Sequence, residues 1–160
     1  MAGAIMNVTT DRWGTPFDLF SLMENIFGKF DLDAAADDNW AMCSEYITKE
    51  QNALNPETPW IGKNVFINPP YGKWITPFLN RSILECFNNQ KHVTLLLPAK
   101  TDVKWFHELV WNFADSVTFI KGRLNFRDPE SNKKNCATFP SMIVHFSPDF
   151  NGKVKFFQLN

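Results

Sequence analysis

Val65-Phe66-Ile67-Asn68-Pro69-Pro70-Tyr71-Gly72 is a short apolar run stopped by two prolines. Such a run, cut off so abruptly, predicts a buried strand that ends in a turn. Each proline fixes its own φ, lacks an N–H and restricts the residue before it, so the turn is stiff. It holds an amide (Asn68), bare backbone carbonyls and an aromatic ring (Tyr71) at the C-terminal end of a strand. That is the edge at which open α/β sheets bind ligands.

The flanking sequence supplies the elements around this strand. Upstream, Thr15 reads as a helix cap, Pro16 as the first helical position and Asp18 as a complement to the positive helix end; the helix runs to about Gly28. Phe30 to Asp33 predicts a short strand running into Ala34, Ala35 and Ala36, and Cys43 to Thr48 a weaker one. Downstream, Trp74-Ile75-Thr76-Pro77 repeats the cap-plus-proline device and opens a helix to about Asn89. Val93 to Pro98 is apolar enough for the middle of a parallel sheet. Thr101-Asp102 is then expected to cap a third helix with Phe106, Leu109, Val110 and Phe113 inward. Ser116 to Ile120 is the next strand, followed by a polar loop from Arg127 to Cys136. Met142 to Phe146 and Val154 to Leu159 close the chain as an antiparallel hairpin. Strands alternating with helices predict a three-layer α/β sandwich with a mostly parallel sheet, of the kind that binds nucleotide-type cofactors.

The turn suits methylation of an exocyclic amine. An amino group on an aromatic ring is a poor nucleophile because its lone pair is delocalised into the ring. A side-chain amide oxygen and a backbone carbonyl can accept its two N–H bonds and aim the lone pair at a methyl donor. Tyr71 would stack on the base, which must leave a duplex to reach such a pocket. No strong base is required of the protein.

Composition excludes several classes. The chain has 160 residues with 44% hydrophobic content and a mean hydropathy of -0.25, which suits one globular domain. A net charge of -1 means that any nucleic acid is met by a local patch. The three Cys (43, 86, 136) and three His (92, 107, 145) have no metal-ligand spacing, so no metal is expected, and free thiols fit a reducing cytoplasm. No stretch approaches a membrane span, and no charged-then-apolar leader opens the chain. Residues 1–12 read as a loose lead-in, and 13–160 as one domain with no separate target-recognition domain.

Three further stretches are candidates. Asp33-Ala34-Ala35-Ala36 offers small residues and an acid at a strand end, as S-adenosylmethionine (AdoMet) requires, or is an ordinary strand–turn. Asn52-Ala53-Leu54 is contact or plain loop. Lys73, Lys100, Arg123, Arg127, Lys133 and Lys134 could hold DNA phosphates or be solvated surface.

In this order, these residues resemble the phage and prophage family of DNA N-6-adenine methyltransferases, from about Trp13 to Ser141. The matching pieces are Trp13–Pro16, Asp33–Ala36, Asn68–Tyr71, Leu97 to Asp102 with Trp105-Phe106, Gly122 to Phe126, and Phe139-Pro140-Ser141. The resemblance implies a Rossmann-like AdoMet-dependent methyltransferase fold and methyl transfer to adenine N6 in DNA. It assigns Asn68, Pro69 and Pro70 to holding the amine and Tyr71 to stacking. The cofactor would lie among Trp13, Thr15, Pro16, Asp33, Ala34, Ala35, Asn52 and Asn68. Asn52 stands where the family pattern leads one to expect an acid. Base selection would fall to loops 72–76 and 121–140 or to a second subunit. Two alternatives stay open: a protein glutamine N5-methyltransferase, and an inactive AdoMet- or DNA-binding module acting against host restriction.

Overall fold

The computed structural model describes residues 13–128 and 134–160. The expected lead-in and Lys133 lie outside the described residues.

The central strand forms where expected, as β3 (Asn64–Ile67). Around it stand α1 (Phe17–Phe27), β1 (Leu32–Ala36), β2 (Tyr46–Thr48), α2 (Ile75–Asn89) and β4 (His92–Pro98). A π-helical segment, Phe106–Val110, runs into α3 (Trp111–Phe113), and β5 (Ser116–Ile120), β6 (Asn125–Arg127), β7 (Lys134–Cys136), β8 (Ser141–Phe146) and β9 (Lys155–Leu159) follow. Seven strands make one sheet in the order β2-β1-β3-β4-β8-β5-β9. It is mostly parallel, with β8 alone antiparallel to both its neighbours.

Strand alternation assigns side chains to two cores. Val65, Ile67, Leu95, Leu97, Met142 and Val144 pack with Phe78 and Leu79 of α2 and with Phe106 and Val110. Phe66, Leu96 and Ile143 point the other way, onto Leu19, Phe20 and Met23 of α1 and onto Phe126 of β6. β3 and β4 are apolar on both faces because both faces are covered, each buried aliphatic contributing about 1.5–3 kcal/mol.

Four expectations are corrected. Met142–Phe146 and the last strand do run in opposite directions, but they do not pair. β5 lies between them, parallel to β9 and antiparallel to β8. The expected polar loop after Phe126 carries an antiparallel ribbon, β6 on β7, in which Arg127 faces Lys134.

Neither threonine caps its helix. α1 is preceded by Pro16 with no side-chain cap, and α2 starts from a 3₁₀ turn, Gly72–Trp74, with Thr76 and Pro77 inside its first turn. Pro77 is tolerated because first-turn N–H groups have no intrahelical partner. The third helical segment begins beyond Thr101-Asp102, and its wide π turn buries Phe106, Val110 and Ala114 at a spacing of four while leaving Phe113 37% exposed.

One buried titratable group sits at the base of the sheet, where β4 starts. His145 has Nδ1 2.8 Å from Thr94 Oγ1 and Nε2 3.4 Å from His92 Nδ1, and stacks on Phe27 at 4.4 Å. Burial, then the charge of His92, hold its pKa down from 6.5 to about 3. Between those values the unfolded chain carries a proton that the fold excludes. This contribution to stability is therefore complete above about pH 6.5 and lost on acidification, at up to about 1.4 kcal/mol per pH unit. In urea unfolding, the stability advantage of the wild type over His145→Gln is expected to be constant above pH 7 and to shrink by pH 4.5. An unchanged difference would refute the assignment.

Candidate active site

The stiff turn after β3 holds one amide in one orientation. Asn68 Nδ2 donates to the Trp13 carbonyl and, at 3.1 Å, to Thr15 Oγ1. Both amide hydrogens are therefore taken up by the 13–15 segment, which leaves Oδ1 as the free acceptor end of the amide. The Tyr71 hydroxyl lies 3.3 Å from that oxygen and 3.4 Å from the Leu96 carbonyl. Having one proton, it leaves Oδ1 with lone-pair capacity. Burial raises the Tyr71 pKa above its ordinary value, so the hydroxyl stays protonated. Gly72, at φ +77°, makes the left-handed step that swings the chain from Tyr71 into α2.

A cavity of about 200 Å³ opens beside this turn, at the C-terminal ends of β3 and β4. Trp13, Tyr71, Trp105 and Phe139 give it aromatic walls, Ile75, Pro98 and Val103 fill the gaps, and among the described residues Lys100 is the charged one in its lining. The Tyr71 and Phe139 rings meet edge to face at 5.5 Å, fixing both planes. A larger cavity of about 380 Å³ lies between α2 and the 54–56 turn. Its Arg81 and Glu85 neutralise each other at 2.9 Å, and none of the expected site residues lines it.

The expected cofactor residues divide. Thr15 is buried and its hydroxyl is spent on Asn68, while Trp13 and Pro16 flank it. Asp33 is buried on the α1 face of β1, where its carboxylate accepts the N–H of Ala35 (3.2 Å) and of Met42 (3.1 Å). Desolvation outweighs those two bonds and pushes its pKa up to about 6. Ala34 turns into the opposite core, whereas Ala35 is half-buried. Asn52 is an exposed turn former at φ 55°, its side-chain oxygen accepting the Leu54 N–H at 3.1 Å. No described contact joins it to Asn68.

A family model for the DNA N-6-adenine-methyltransferases (Dam) matches residues 3–158. The chain belongs to this family. It is similar to the DNA N-6-adenine-methyltransferase of Haemophilus phage HP1, with 34% identity over 140 residues that cover 86% of this chain and 79% of the relative. A protein of the same name from Escherichia phage T1 is 32% identical over 139 residues, 77% of this chain and 56% of that one. No solved structure matches the chain.

For a member of the Dam family, the basic residues matter next. Lys73, Lys100, Arg123 and Lys134 are exposed; Lys73 Nζ lies over the Trp74 ring at 5.2 Å, and Lys100 stands in the cavity wall. Arg127 departs from the expectation of a loop cation. Its Nε donates to the Thr15 carbonyl at 2.8 Å, Nη2 reaches Met42 Sδ at 3.1 Å, and its guanidinium lies 3.6 Å from the Phe17 ring centroid and 4.7 Å from that of Trp40.

Sequence reasoning passed over Trp105, Phe139 and Val103 as site residues. Trp105 and Phe139 do stand in stretches shared with the Dam family, and an aromatic inside such a stretch was the available signal. Among the described residues, no cluster of three or more His, Cys, Asp or Glu could hold a metal, and no helix is long and apolar enough to cross a membrane.

Proposed function

We propose that this chain transfers a methyl group from AdoMet to N6 of adenine in DNA. The observation that carries the reading is the Asn68 amide, its NH₂ held by Trp13 and Thr15, in the same stiff turn as Tyr71, which lines an aromatic-walled cavity. In this reading α1 with the β6–β7 ribbon, the sheet, and α2 with the π-helical segment are the three layers of a Rossmann-like methyltransferase sandwich. Residues 13–160 form its single domain, and the protein works in the cytoplasm, where DNA and AdoMet are both found.

The adenine leaves the duplex and enters the cavity, where Tyr71, Trp13, Trp105 and Phe139 replace its stacking partners. Asn68 Oδ1 and the Pro69 carbonyl accept the two N6 hydrogens, with Pro70 keeping the turn rigid. This draws the nitrogen lone pair out of conjugation and aims it away from the ring. N6 would take the methyl group as the methyl–sulfur bond breaks, its electron pair staying on sulfur as a neutral thioether, and then give up one hydrogen as a proton to solvent. No protein base is needed, in keeping with a Tyr71 hydroxyl that keeps its proton. Positioning and exclusion of water supply most of the rate.

AdoMet supplies an electrophilic methyl group on a sulfonium. The residues present fit it. Asp33 is a buried carboxylate whose two N–H bonds fall short of its desolvation cost, so a cationic ligand nearby would be favoured. Pro16 and Ala35, both half-buried, would border it, whereas Ala34 is buried in the opposite core and Asn52 is exposed.

Lys100 at the cavity wall, with Lys73, Arg123 and Lys134, contacts phosphates, and loops 72–76 and 121–140 select the target. Lys100→Gln is expected to weaken DNA binding on all sequences and to flatten the log–log salt dependence by about 1. An unchanged salt slope would remove Lys100 from the interface.

The deciding experiment is incubation with methyl-labelled AdoMet and unmethylated mixed-sequence DNA, digestion, and nucleoside analysis. Label in N6-methyladenine is expected. AdoMet binding with no label in DNA would overturn the reading.

A further inference from the structure

We infer that Arg127 is a positioning residue for the Asn68 amide, acting through the 13–15 segment, and not a phosphate contact. The inference rests on the role given to Asn68 under Proposed function.

An asparagine amide is nearly symmetric in shape, and only its hydrogen-bond partners decide which end faces the site. With the oxygen inward, Asn68 accepts from the target amine. With the NH₂ inward it would set donor against donor and present no lone pair. The two partners that decide this, the Trp13 carbonyl and Thr15 Oγ1, belong to a segment that precedes α1 and lies in no helix or multi-residue strand. The orientation of the amide is therefore only as good as the placement of that segment.

β6 places it, and mainly at one residue. Gly14 N–H donates to the Arg127 carbonyl at 2.9 Å, Arg127 N–H returns a bond to the Gly14 carbonyl at 2.8 Å, and Arg127 Nε donates to the Thr15 carbonyl at 2.8 Å. The two backbones approach so closely that a Cβ on Gly14 would stand 2.8 Å from the Arg127 carbonyl oxygen. Arg127 is itself pinned by Phe17, Trp40 and the Met42 sulfur. A guanidinium laid over rings and bonded to a carbonyl is a structural fork, and a lysine cannot reproduce it. One step further out, Arg127 pairs with Lys134 of β7, so the ribbon that carries a proposed DNA contact also carries the support of the catalytic amide.

The test is steady-state methyl transfer by the full chain with Arg127→Lys, Thr15→Val, Thr15→Ser and the Arg127→Lys/Thr15→Val double variant. Calorimetric AdoMet titration counts folded sites. Per AdoMet-binding site, Arg127→Lys and Thr15→Val are each expected to lower kcat about tenfold to a hundredfold, the range for a small misplacement of reacting groups. KM for DNA, AdoMet Kd and the salt slope should stay within about twofold, as expected for an interaction realised in the transition state. The double variant should be little worse than either single variant, since both changes break one path. Thr15→Ser should restore turnover.

Three results would overturn the inference. One is an intact kcat with raised KM for DNA and a salt slope shallower by about 1. Another is a kcat per folded site that stays at the wild-type value. The third is losses that multiply in the double variant. If Arg127→Lys does not fold, the Thr15→Val and Thr15→Ser pair still decides. Asn68→Ala runs alongside: if it turns over normally, the reading of Asn68 has failed, and that outcome is distinct from failure of Arg127 alone.

Discussion

Asn68→Ala is expected to lower kcat about 10²- to 10³-fold, the usual cost of deleting one preorganised polar group aimed at a reacting centre. AdoMet binding should survive. In the proposed reaction the side-chain oxygen is one of two acceptors for the target amine, and the Pro69 carbonyl alone would not orient the nitrogen. The change also strips the Trp13 carbonyl and Thr15 Oγ1 of their donor, so some of the loss comes from a loosened 13–15 segment. Methyl-labelled transfer to adenine, normalised to AdoMet-binding sites, reads the effect. Turnover within threefold of wild type would end the role assigned to this amide.

Phe66→Ala is expected to destabilise the fold by about 3–5 kcal/mol, the range for emptying a fully buried phenylalanine site. Phe66 has no solvent exposure and holds Phe20 of α1 at 5.1 Å and Phe30 at 5.5 Å. Few side chains can collapse into the gap, because the neighbouring strands are held in register on both sides of β3. Against a total stability of about 5–15 kcal/mol the loss is large. It should lower Tm by about 10 °C, and urea unfolding gives the free energy directly. A loss under 1 kcal/mol would mean that α1 is not anchored through this ring.

The parts of the fold legible in the sequence were those whose burial is written locally. β3 and β4 are continuous apolar runs because both faces of the sheet are covered, and the prolines after β3 mark its end. The stiff turn that holds Asn68 and Tyr71 was legible for the same reason: four consecutive residues make it. Helix starts were misread because a threonine hydroxyl before a proline suits two uses. In Thr15 the hydroxyl went to a residue 53 positions away instead of to its own helix. The contacts of Arg127 were illegible because a cation in a polar stretch shows its charge but not its partners, and a three-residue strand is too short to show a period. The cavity walls were illegible for a related reason. Trp13, Tyr71, Trp105 and Phe139 are scattered along the chain and become neighbours only when β3, β4 and β8 line up. Strand order was beyond reach as well, since nothing in the link after Phe146 tells whether β9 turns back beside β8 or crosses to the far side of β5.

That crossing has a consequence for how the protein is made. β2, β1, β3 and β4 form one block of the sheet and β5 with β9 another, and β8 is the seam between them. During translation the first block can assemble once β4 has emerged, but its β4 edge stays open until residues 141–146 arrive. β5 emerges earlier than β8 and has no neighbour of its own in that interval. Joining distant segments so late gives high contact order and slow completion. Bare strand edges coexist meanwhile on β4 and β5, the condition in which nascent chains pair with the wrong partner. The short ribbon between β5 and β8 thus sets how long a growing chain stays exposed as well as framing the site.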